Sequence, residues 1–274
     1  FGQCLAVFCG SGMGALITST LSEDSLYAWG WRVPFIVGLL IAPVGLWMRR
    51  HMEETHAFTS VQSDVRHKPA SLKSVVANHS RAILVTMGLI ICFTVSFYVI
   101  LVNMPTFVHR QLGLQLDRAF IIQMLAVSVM TVVVPFAGML SDKVGCRRVL
   151  LFSIGAFACA IYPLFSWLSV SPSLERFLVV QVVLCFCMAF FYGAMPTAVA
   201  ELFPPAVRST GLALSYNLSV MLFGGFAPVI VTWLTKATGS SISPAYYVIF
   251  AASMAFVAAW FVAGKVAERA TIAG

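Results

Sequence analysis

Long apolar runs alternate with short polar segments along the whole chain, and this pattern is the first guide to its structure. A helix needs about 20 apolar residues to cross the hydrocarbon core of a bilayer. None of the runs shows the ten-residue alternation of a membrane β-barrel strand. The pattern therefore predicts eight transmembrane helices, at roughly 2–21, 33–48, 82–102, 120–140, 149–168, 177–198, 211–235 and 245–264. Gly224, Gly225 and Pro228 predict a bend in the seventh helix.

Composition indicates that the solvent of this chain is a bilayer. Hydrophobic residues make up 60% of the sequence and charged residues 10%, whereas a soluble globular chain has roughly 45–50% and 25%. So few charges cannot cover a water-exposed surface. We therefore expect an all-α integral membrane protein with lipid around its perimeter.

Lys and Arg are distributed unevenly between the two sets of connections. The connections 49–81, 141–148 and 201–210, together with the tail after 264, hold twelve of the 17 basic residues, and the other set holds five. Because cytoplasmic loops are enriched in Lys and Arg, the first set is predicted to be cytoplasmic, as are both ends of the chain. The net charge of +7 then reflects topology and requires no nucleic-acid partner.

The reactive residues give no sign of an enzyme or of a metal site. Six of the seven cysteines lie in apolar helices and Cys146 lies in a predicted cytoplasmic turn, so we expect no disulfide framework. No His/Cys cluster has metal-ligand spacing, and no phosphate-binding loop or nucleophile elbow occurs. We expect neither catalysis nor a cofactor.

A charged turn, GMLSDKVGCRRVL at 138–150, stands between two strongly apolar segments. Gly138 would let two helices approach closely, and Gly145 would permit a turn with φ above zero. The stretch resembles the signature loop of the major facilitator superfamily, G-x-L-a-D-r-x-G-r-r. The residues in register are Gly138, Leu140, Asp142, Lys143, Gly145 and Arg147. Cys146 replaces the first of the paired basic residues, and Arg148 stands where close relatives often have Pro.

Three further stretches narrow the resemblance to the metabolite:proton symporter branch of that superfamily. They are WGWRVPF at 29–35, RRHMEETHAF at 49–58 and ELFPPAVRSTGLALSYN at 201–217. The resemblance implies a twelve-helix fold of two six-helix bundles, with eight helices present here. It assigns residues 1–50 to the N-terminal bundle, 51–80 to a cytoplasmic linker and 81–274 to a C-terminal six-helix bundle. The solute then binds between the bundles, which rock around it.

The acidic residues bear on proton coupling. All ten fall in connections or at helix ends, whereas a coupling residue is expected inside the membrane. The chain also opens at Phe1, inside an apolar run. We therefore expect a fragment whose beginning is missing, with the coupling residue in the missing part.

The resemblance implies a cytoplasmic gate, and the helices contain few polar groups that could contact a solute. The expected gate residues are Gly138, Asp142, Lys143, Gly145, Arg147 and Arg148 of the signature loop, with Glu201 and Arg208 in the second segment. Glu201 and Arg208 could equally be solvated loop charges. The candidate solute contacts are Tyr98, Asn103, Gln123, Tyr192, Tyr216 and Asn217, any of which could instead bond two helices together. Gln123 and Asn217 are the foremost candidates, because an amide inside an apolar helix needs a partner.

The resemblance implies uptake of a small hydrophilic metabolite across the bacterial inner membrane, with the proton as coupling ion. We expect an organic acid. A compatible solute such as proline or betaine is an alternative, to which SPAYYV at 243–248 bears some likeness. An exporter and a non-transporting membrane subunit are further alternatives. We expect a monomer whose partners are the metabolite, protons and the lipid bilayer.

Overall fold

The structure is a computed structural model that describes residues 2–51 and 72–262. Within them, eight helices are long and apolar enough to cross a membrane, which confirms the predicted all-α membrane fold and its number of spans. The spans are α1 (Gly2–Thr20), α2 (Gly30–Met48), α3 (Lys73–Leu112), α4 (Leu116–Val144), α5 (Cys146–Val170), α6 (Leu174–Glu201), α7 (Arg208–Thr238) and α8 (Ser243–Trp260). A short helix, Glu23–Ala28, lies between α1 and α2 and is capped by the Ser22 side chain.

The span α2 is divided into a 3-10 turn, Gly30–Arg32, and two helices, Val33–Gly38 and Ile41–His51. Two other spans contain a π-helical segment midway. The span α3 consists of an α-helix, Leu72–Ser96, a π-helical segment, Phe97–Asn103, and a final α-helix, Met104–Leu112. The span α7 is divided in the same way by a π-helical segment, Val220–Gly224, and resumes as Ala227–Thr238. The break in α7 confirms the bend predicted from its two glycines and its proline. The break in α3 has no counterpart in the sequence prediction.

The polar stretch before α3 is partly helical. Residues 72–80, predicted as linker, belong to the first helix of α3, with non-helical geometry only at His79. A search for long apolar runs misses this segment because polar residues interrupt its apolar ones. The rest of the predicted linker, 52–71, lies outside the described residues.

The helices of the bundle pack in the order α1, α4, α6, α5, α8, α3 and α7, each contacting the next. The contact between α4 and α6 is the most extensive of these. Lipid is as apolar as the helices, so close van der Waals packing and interhelical hydrogen bonds hold them together. By contrast, no residue from Trp31 to Met48 of α2 is buried in the described structure.

Small residues stand where the helices cross most closely. At the α4–α6 crossing, a Cβ on Gly193 would lie 2.8 Å from both the backbone nitrogen of Gly138 and the carbonyl oxygen of Val134. At the α3–α8 crossing, a Cβ on Gly88 would lie 2.7 Å from Ala258 Cβ. The structure thus confirms the close helix approach predicted at Gly138 and identifies Gly193 as its partner.

The two ends of the bundle differ in charge. Helices α3 to α8 are joined by short connections, so α3, α5 and α7 begin where α4, α6 and α8 end. We call the end of the bundle at which α3, α5 and α7 begin the basic end. Here the guanidinium of Arg81 lies 5.6 Å from the Phe261 ring centroid, and that of Arg147 lies 5.0 Å from the Trp260 ring centroid. Two cations therefore stack on consecutive aromatic residues and hold the end of α8 against the starts of α3 and α5.

Candidate functional site

Two glutamine side chains, which we call the amide pair, meet between α3, α4 and α6. Gln123 on α4 and Gln181 on α6 are both fully buried, with 0% of each residue exposed. Gln181 Nε2 donates one hydrogen bond to Gln123 Oε1 and another to the Ile100 carbonyl oxygen, each of 2.7 Å. Because Ile100 belongs to the π-helical segment of α3, the amide pair joins three helices at the point where α3 is irregular.

The amide pair keeps part of its hydrogen-bonding capacity free. Gln123 Nε2 and Gln181 Oε1 are buried and have no hydrogen-bond partner among the described residues. Leaving such a group unpaired costs about 1–3 kcal/mol. The pair therefore offers one donor group and one acceptor that a polar molecule would satisfy.

Sequence analysis identified Gln123 but missed Gln181, although the same criterion applies to both. Each is an amide inside an apolar helix, and each lies seven residues after the first residue of its helix, Leu116 or Leu174. At 1.5 Å per residue, both amides are roughly 10 Å from the same end of the bundle. Equal depth on two parallel helices is the signal in the sequence that points to the pair.

Tyr192 and Tyr98 both contact neighbouring helices. The Tyr192 hydroxyl donates a 2.9 Å hydrogen bond to the Phe93 carbonyl oxygen and lies 3.4 Å from Ser96 Oγ. The Tyr98 ring packs on Gly224 of α7, where a Cβ would lie 2.7 Å from it. Both side chains therefore take part in helix packing, and their contact with a solute stays a prediction.

The two candidate solute contacts of α7 lie on an open face. Asn217 and Tyr216 are exposed, whereas Asn103, at the end of the π-helical segment of α3, is half-buried. Asn217 Nδ2 donates a 2.7 Å hydrogen bond to the Ala213 carbonyl oxygen of its own helix. With Thr210, Asn217 lines a shallow depression of about 560 Å³. Its amide oxygen remains available to a solute on that face.

The predicted solute contacts do not form one cluster. Asn217 follows Arg208, the first residue of α7, by nine residues and so lies roughly 14 Å from the basic end. The amide pair lies roughly 10 Å from the opposite end of helices that are roughly 42 Å long. Gln123 and Asn217 therefore belong to opposite halves of the bundle, and the structure groups Gln123 with Gln181 instead.

The connection predicted at 141–148 is much shorter than expected. Helix α4 continues to Val144 and α5 begins at Cys146, so Gly145 alone joins them. Gly145 has φ 101° and ψ 133°, which confirms the predicted turn with positive φ. Ser141 Oγ donates a 3.1 Å hydrogen bond to Cys146 Sγ across the turn. Cys146, which departs from the signature pattern, thus contributes a contact to the turn.

The charges of the signature loop are mostly accessible. Three of its side chains are exposed: Asp142, Lys143 and Arg148. Arg147 is half-buried and stacks on Trp260. In the part of the chain that the structure describes, the one ion pair joins Asp117 and Arg118, at 3.7 Å. Asp142 therefore has no cationic partner within residues 2–51 and 72–262.

The second predicted gate segment folds back on the start of α7. Phe203 is buried, with 2% exposure, and its ring packs so closely on Gly211 that a Cβ there has no room. Arg208 Nε donates a 3.4 Å hydrogen bond to the Phe203 carbonyl oxygen. Glu201, the last residue of α6, is exposed, and no ion pair joins it to Arg208 among the described residues. Phe203, Arg208 and Gly211 thus fix the shape of this loop, whatever their part in gating.

Replacing Gly145 is expected to be more damaging than replacing Gly113, although both have positive φ. Gly113 has φ 70° and ψ 16°, a left-handed cap conformation that Asn tolerates. In Gly145→Asn, a residue with a side chain would have to adopt backbone angles close to a φ/ψ region that is essentially reserved for glycine. The strain would be about 1–3 kcal/mol. We expect Gly145→Asn to lower the melting temperature of the purified full-length protein and Gly113→Asn to leave it nearly unchanged. Equal melting temperatures for the two variants would contradict the turn geometry.

Comparison with known proteins identifies the family. The sequence profile of the family described as Sugar (and other) transporter matches residues 47–270. The chain is 32% identical over 250 residues to the citrate-proton symporter of Salmonella typhi, covering 91% of this chain and 57% of that protein. It is 30% identical over 267 residues to the proline/betaine transporter of Escherichia coli strain K12, covering 94% of this chain and 53% of that protein.

The similarity extends to a second citrate-proton symporter. That protein, from Klebsiella pneumoniae, is 33% identical over 250 residues, covering 91% of this chain and 56% of its own length. The chain thus spans just over half the length of the curated relatives that it matches. No solved structure matches the chain at a significant level. The chain belongs to the Sugar (and other) transporter family of the major facilitator superfamily, and its relatives agree with the expected metabolite:proton symporter branch.

Proposed function

We propose that the full-length protein is a proton-coupled symporter of the bacterial inner membrane that takes up a small hydrophilic metabolite. The observation that carries this proposal is the similarity, along 91% of the chain, to two citrate-proton symporters. The neutral amides and hydroxyls inside the bundle suit a hydrophilic solute. In this proposal the proton is the coupling ion, no cofactor takes part, and a monomer works by alternating access between two bundles.

Within this class we favour an organic acid as the solute. A compatible solute such as proline or betaine is the second candidate, supported by the 30% identity to a proline/betaine transporter. In the spans that the structure describes, acidic residues occur only in the first or last helical turn. We therefore place the coupling carboxylate, and the positive charge that neutralises an organic acid, in parts of the protein outside this bundle. Among the described residues, Arg32, at the start of α2, is our candidate for that positive charge.

The amide pair and Asn217 are proposed to contact the solute at different depths. Gln123 Nε2 would donate to a carboxylate or hydroxyl of the solute, and Gln181 Oε1 would accept from a hydroxyl or from a water molecule carried with it. Asn217 would meet the solute closer to the basic end. Two separate depths suit a carrier that opens alternately to each side, because a contact near each exit guides the solute through.

Asp142→Asn is expected to impair turnover while leaving the protein inserted and abundant. The proposal makes the signature loop a latch at the basic end. An exposed carboxylate without a cationic partner among the described residues is free to pair with another part of the full-length protein. We expect maximal uptake, measured at equal expression, to fall about tenfold, which corresponds to about 1.4 kcal/mol. The matched control is Glu175→Gln, which removes an exposed acid at the opposite end. Unchanged uptake by the Asp142→Asn variant would mean that the Asp142 carboxylate has no part in turnover and only contributes to the membrane topology.

The basic end is proposed to face the cytoplasm, together with both ends of the chain. In a cysteine-free background, a cysteine at Ser171, in the connection between α5 and α6, should be labelled by an impermeant maleimide from outside intact cells. A cysteine at Ser63, which lies outside the described residues, should be labelled only after the cells are opened. Labelling of the Ser63 position in intact cells would reverse the proposed orientation.

Uptake by cells that express the full-length protein tests the choice of solute. Labelled citrate and labelled betaine are each offered at equal concentration, with the empty vector as control. Citrate uptake that excess unlabelled citrate abolishes supports an organic-acid symporter, whereas betaine uptake supports the second candidate. Faster loss of preloaded solute would indicate an exporter, and movement of neither solute in either direction would favour a non-transporting subunit.

A further inference from the structure

A groove of about 480 Å³ opens on the outer surface of the bundle, between α4, α5 and α6 in their halves nearest the basic end. Its walls are almost entirely apolar, and the principal side chains are Leu140, Val144, Phe152, Ala156, Phe186 and Phe190. Phe152 is 80% exposed and Phe186 is 45% exposed. In the described structure the groove is therefore open to the surroundings of the bundle.

One charged residue, Arg148, lines the same groove. Its side chain is exposed and has no hydrogen-bond or ion-pair partner within residues 2–51 and 72–262. Helix α5 begins two residues earlier, at Cys146, and the free N–H groups of a helix start favour an anion at this position. An unpaired guanidinium at the edge of an apolar groove thus selects a ligand with a negative group and a hydrocarbon chain.

The length of the groove fits one leaflet of a bilayer. From Arg148 to Ala156 the groove follows eight residues of α5, which is roughly 12 Å. The hydrocarbon core of a bilayer is about 30 Å thick, so one leaflet contributes roughly 15 Å. With Arg148 at the level of the headgroups, the groove extends through most of one leaflet and ends inside it.

We propose that this groove binds a phospholipid with an anionic headgroup, one acyl chain lying along α5 past Phe152 and the phosphate contacting Arg148. A small hydrophilic solute does not suit an apolar groove, and this site is separate from the amide pair. Such a lipid would fill the gap between α4 and α5, which contact each other less than either contacts α6. It would also tie the signature turn to the composition of the leaflet at the basic end.

The test is lipid retention by the purified full-length protein, measured by native mass spectrometry. Phosphatidylglycerol and phosphatidylcholine with identical acyl chains are added in turn. Wild-type protein is expected to retain the anionic lipid more strongly. Arg148→Gln should weaken retention of phosphatidylglycerol about fivefold, which corresponds to about 1 kcal/mol for one basic residue, and leave phosphatidylcholine unchanged. Arg110→Gln, which removes an exposed arginine at the opposite end, is the matched control and should have no effect.

A second variant tests the groove independently of the charge. Ala156→Phe fills its inner end and should reduce the retention of both lipids, while glycerophosphoglycerol, which lacks acyl chains, should not stabilise the wild-type protein against heating. Equal retention of the two lipids by the wild-type protein, or an Arg148→Gln variant that retains phosphatidylglycerol normally, would overturn the proposal. Stabilisation of the wild-type protein by glycerophosphoglycerol would also overturn it. The same holds if the purified protein is a dimer that Ala156→Phe dissociates, because a second copy of the chain would then occupy the groove. Uptake plays no part in these measurements, so failure of the transport proposal leaves them interpretable.

Discussion

Gly193→Val is expected to remove most of the folded protein from the membrane. A Cβ at this position would lie 2.8 Å from the Gly138 nitrogen and the Val134 carbonyl oxygen, and 2.9 Å from Ala137 Cβ. These are backbone atoms and a first side-chain carbon, which cannot rotate away, so α4 and α6 would have to separate. Their contact is the most extensive in the bundle, and protein interiors have little spare volume to absorb such a shift. Overpacking of this kind costs about 1–3 kcal/mol, and two further methyl groups add to the clash.

The matched control is Gly155→Val on α5. A Cβ at Gly155 would meet only the Phe256 ring, at 3.6 Å, which is ordinary van der Waals contact. Both variants change the intrinsic helix preference in the same way, so a difference between them reports the crossing itself. Fluorescence-detected size-exclusion chromatography after heating gives the amount of folded protein and its melting temperature. Equal accumulation and equal melting temperatures would contradict the packing described for α4 and α6.

Gln181→Leu is expected to destabilise the bundle more than Gln123→Leu does. Gln181 donates both hydrogen bonds of the cluster, so its loss leaves the Ile100 carbonyl oxygen and the whole Gln123 amide unpaired in an apolar interior. Each unpaired group costs about 1–3 kcal/mol. Gln123→Leu leaves the bond from Gln181 to Ile100 intact. The melting temperatures of the two variants, measured in one detergent, should therefore fall in the order wild type, Gln123→Leu, Gln181→Leu.

The double variant separates a structural role of the amide pair from a functional one. Replacing both glutamines by leucine removes both amides and leaves only the Ile100 carbonyl oxygen without its partner, so we expect a melting temperature above that of Gln181→Leu. The two substitutions should be non-additive, since the side chains are in direct contact. We expect the apparent affinity for the solute to stay weakened by about 1–3 kcal/mol, with the dependence on pH unaltered. Recovery of both stability and affinity would show that the pair only holds helices together.

Features set by local sequence were predictable. Each span is recognisable because a helix must be long and apolar to cross a bilayer. The positive φ of Gly145 follows from a glycine between two helices that reverse direction at once. The close approach at Gly138 follows from its lack of a side chain, although Gly193 as the partner does not. These predictions succeed because they depend on one element at a time.

Features that depend on several helices were not predictable. The π-helical segment of α3 is mostly apolar, and Pro105, just after it, does not by itself predict a change of geometry that begins at Phe97. The bond from Gln181 to Ile100 requires the relative rotation of α3 and α6, which periodicity alone does not give. The helical segment at 72–80 mixes polar and apolar residues and therefore escapes a search for long apolar runs. The depths of Gln123 and Asn217 in the bundle also follow from where their helices begin, and not from their residue type.

The most direct test of proton-coupled symport is transport into membrane vesicles that contain the purified full-length protein. Labelled citrate is offered outside, with an imposed proton gradient directed inwards, and betaine is offered in parallel. Proton-coupled symport predicts that solute accumulates above its external concentration and that a protonophore abolishes this accumulation. Entry that only equalises the concentrations, with or without the proton gradient and the protonophore, would contradict it.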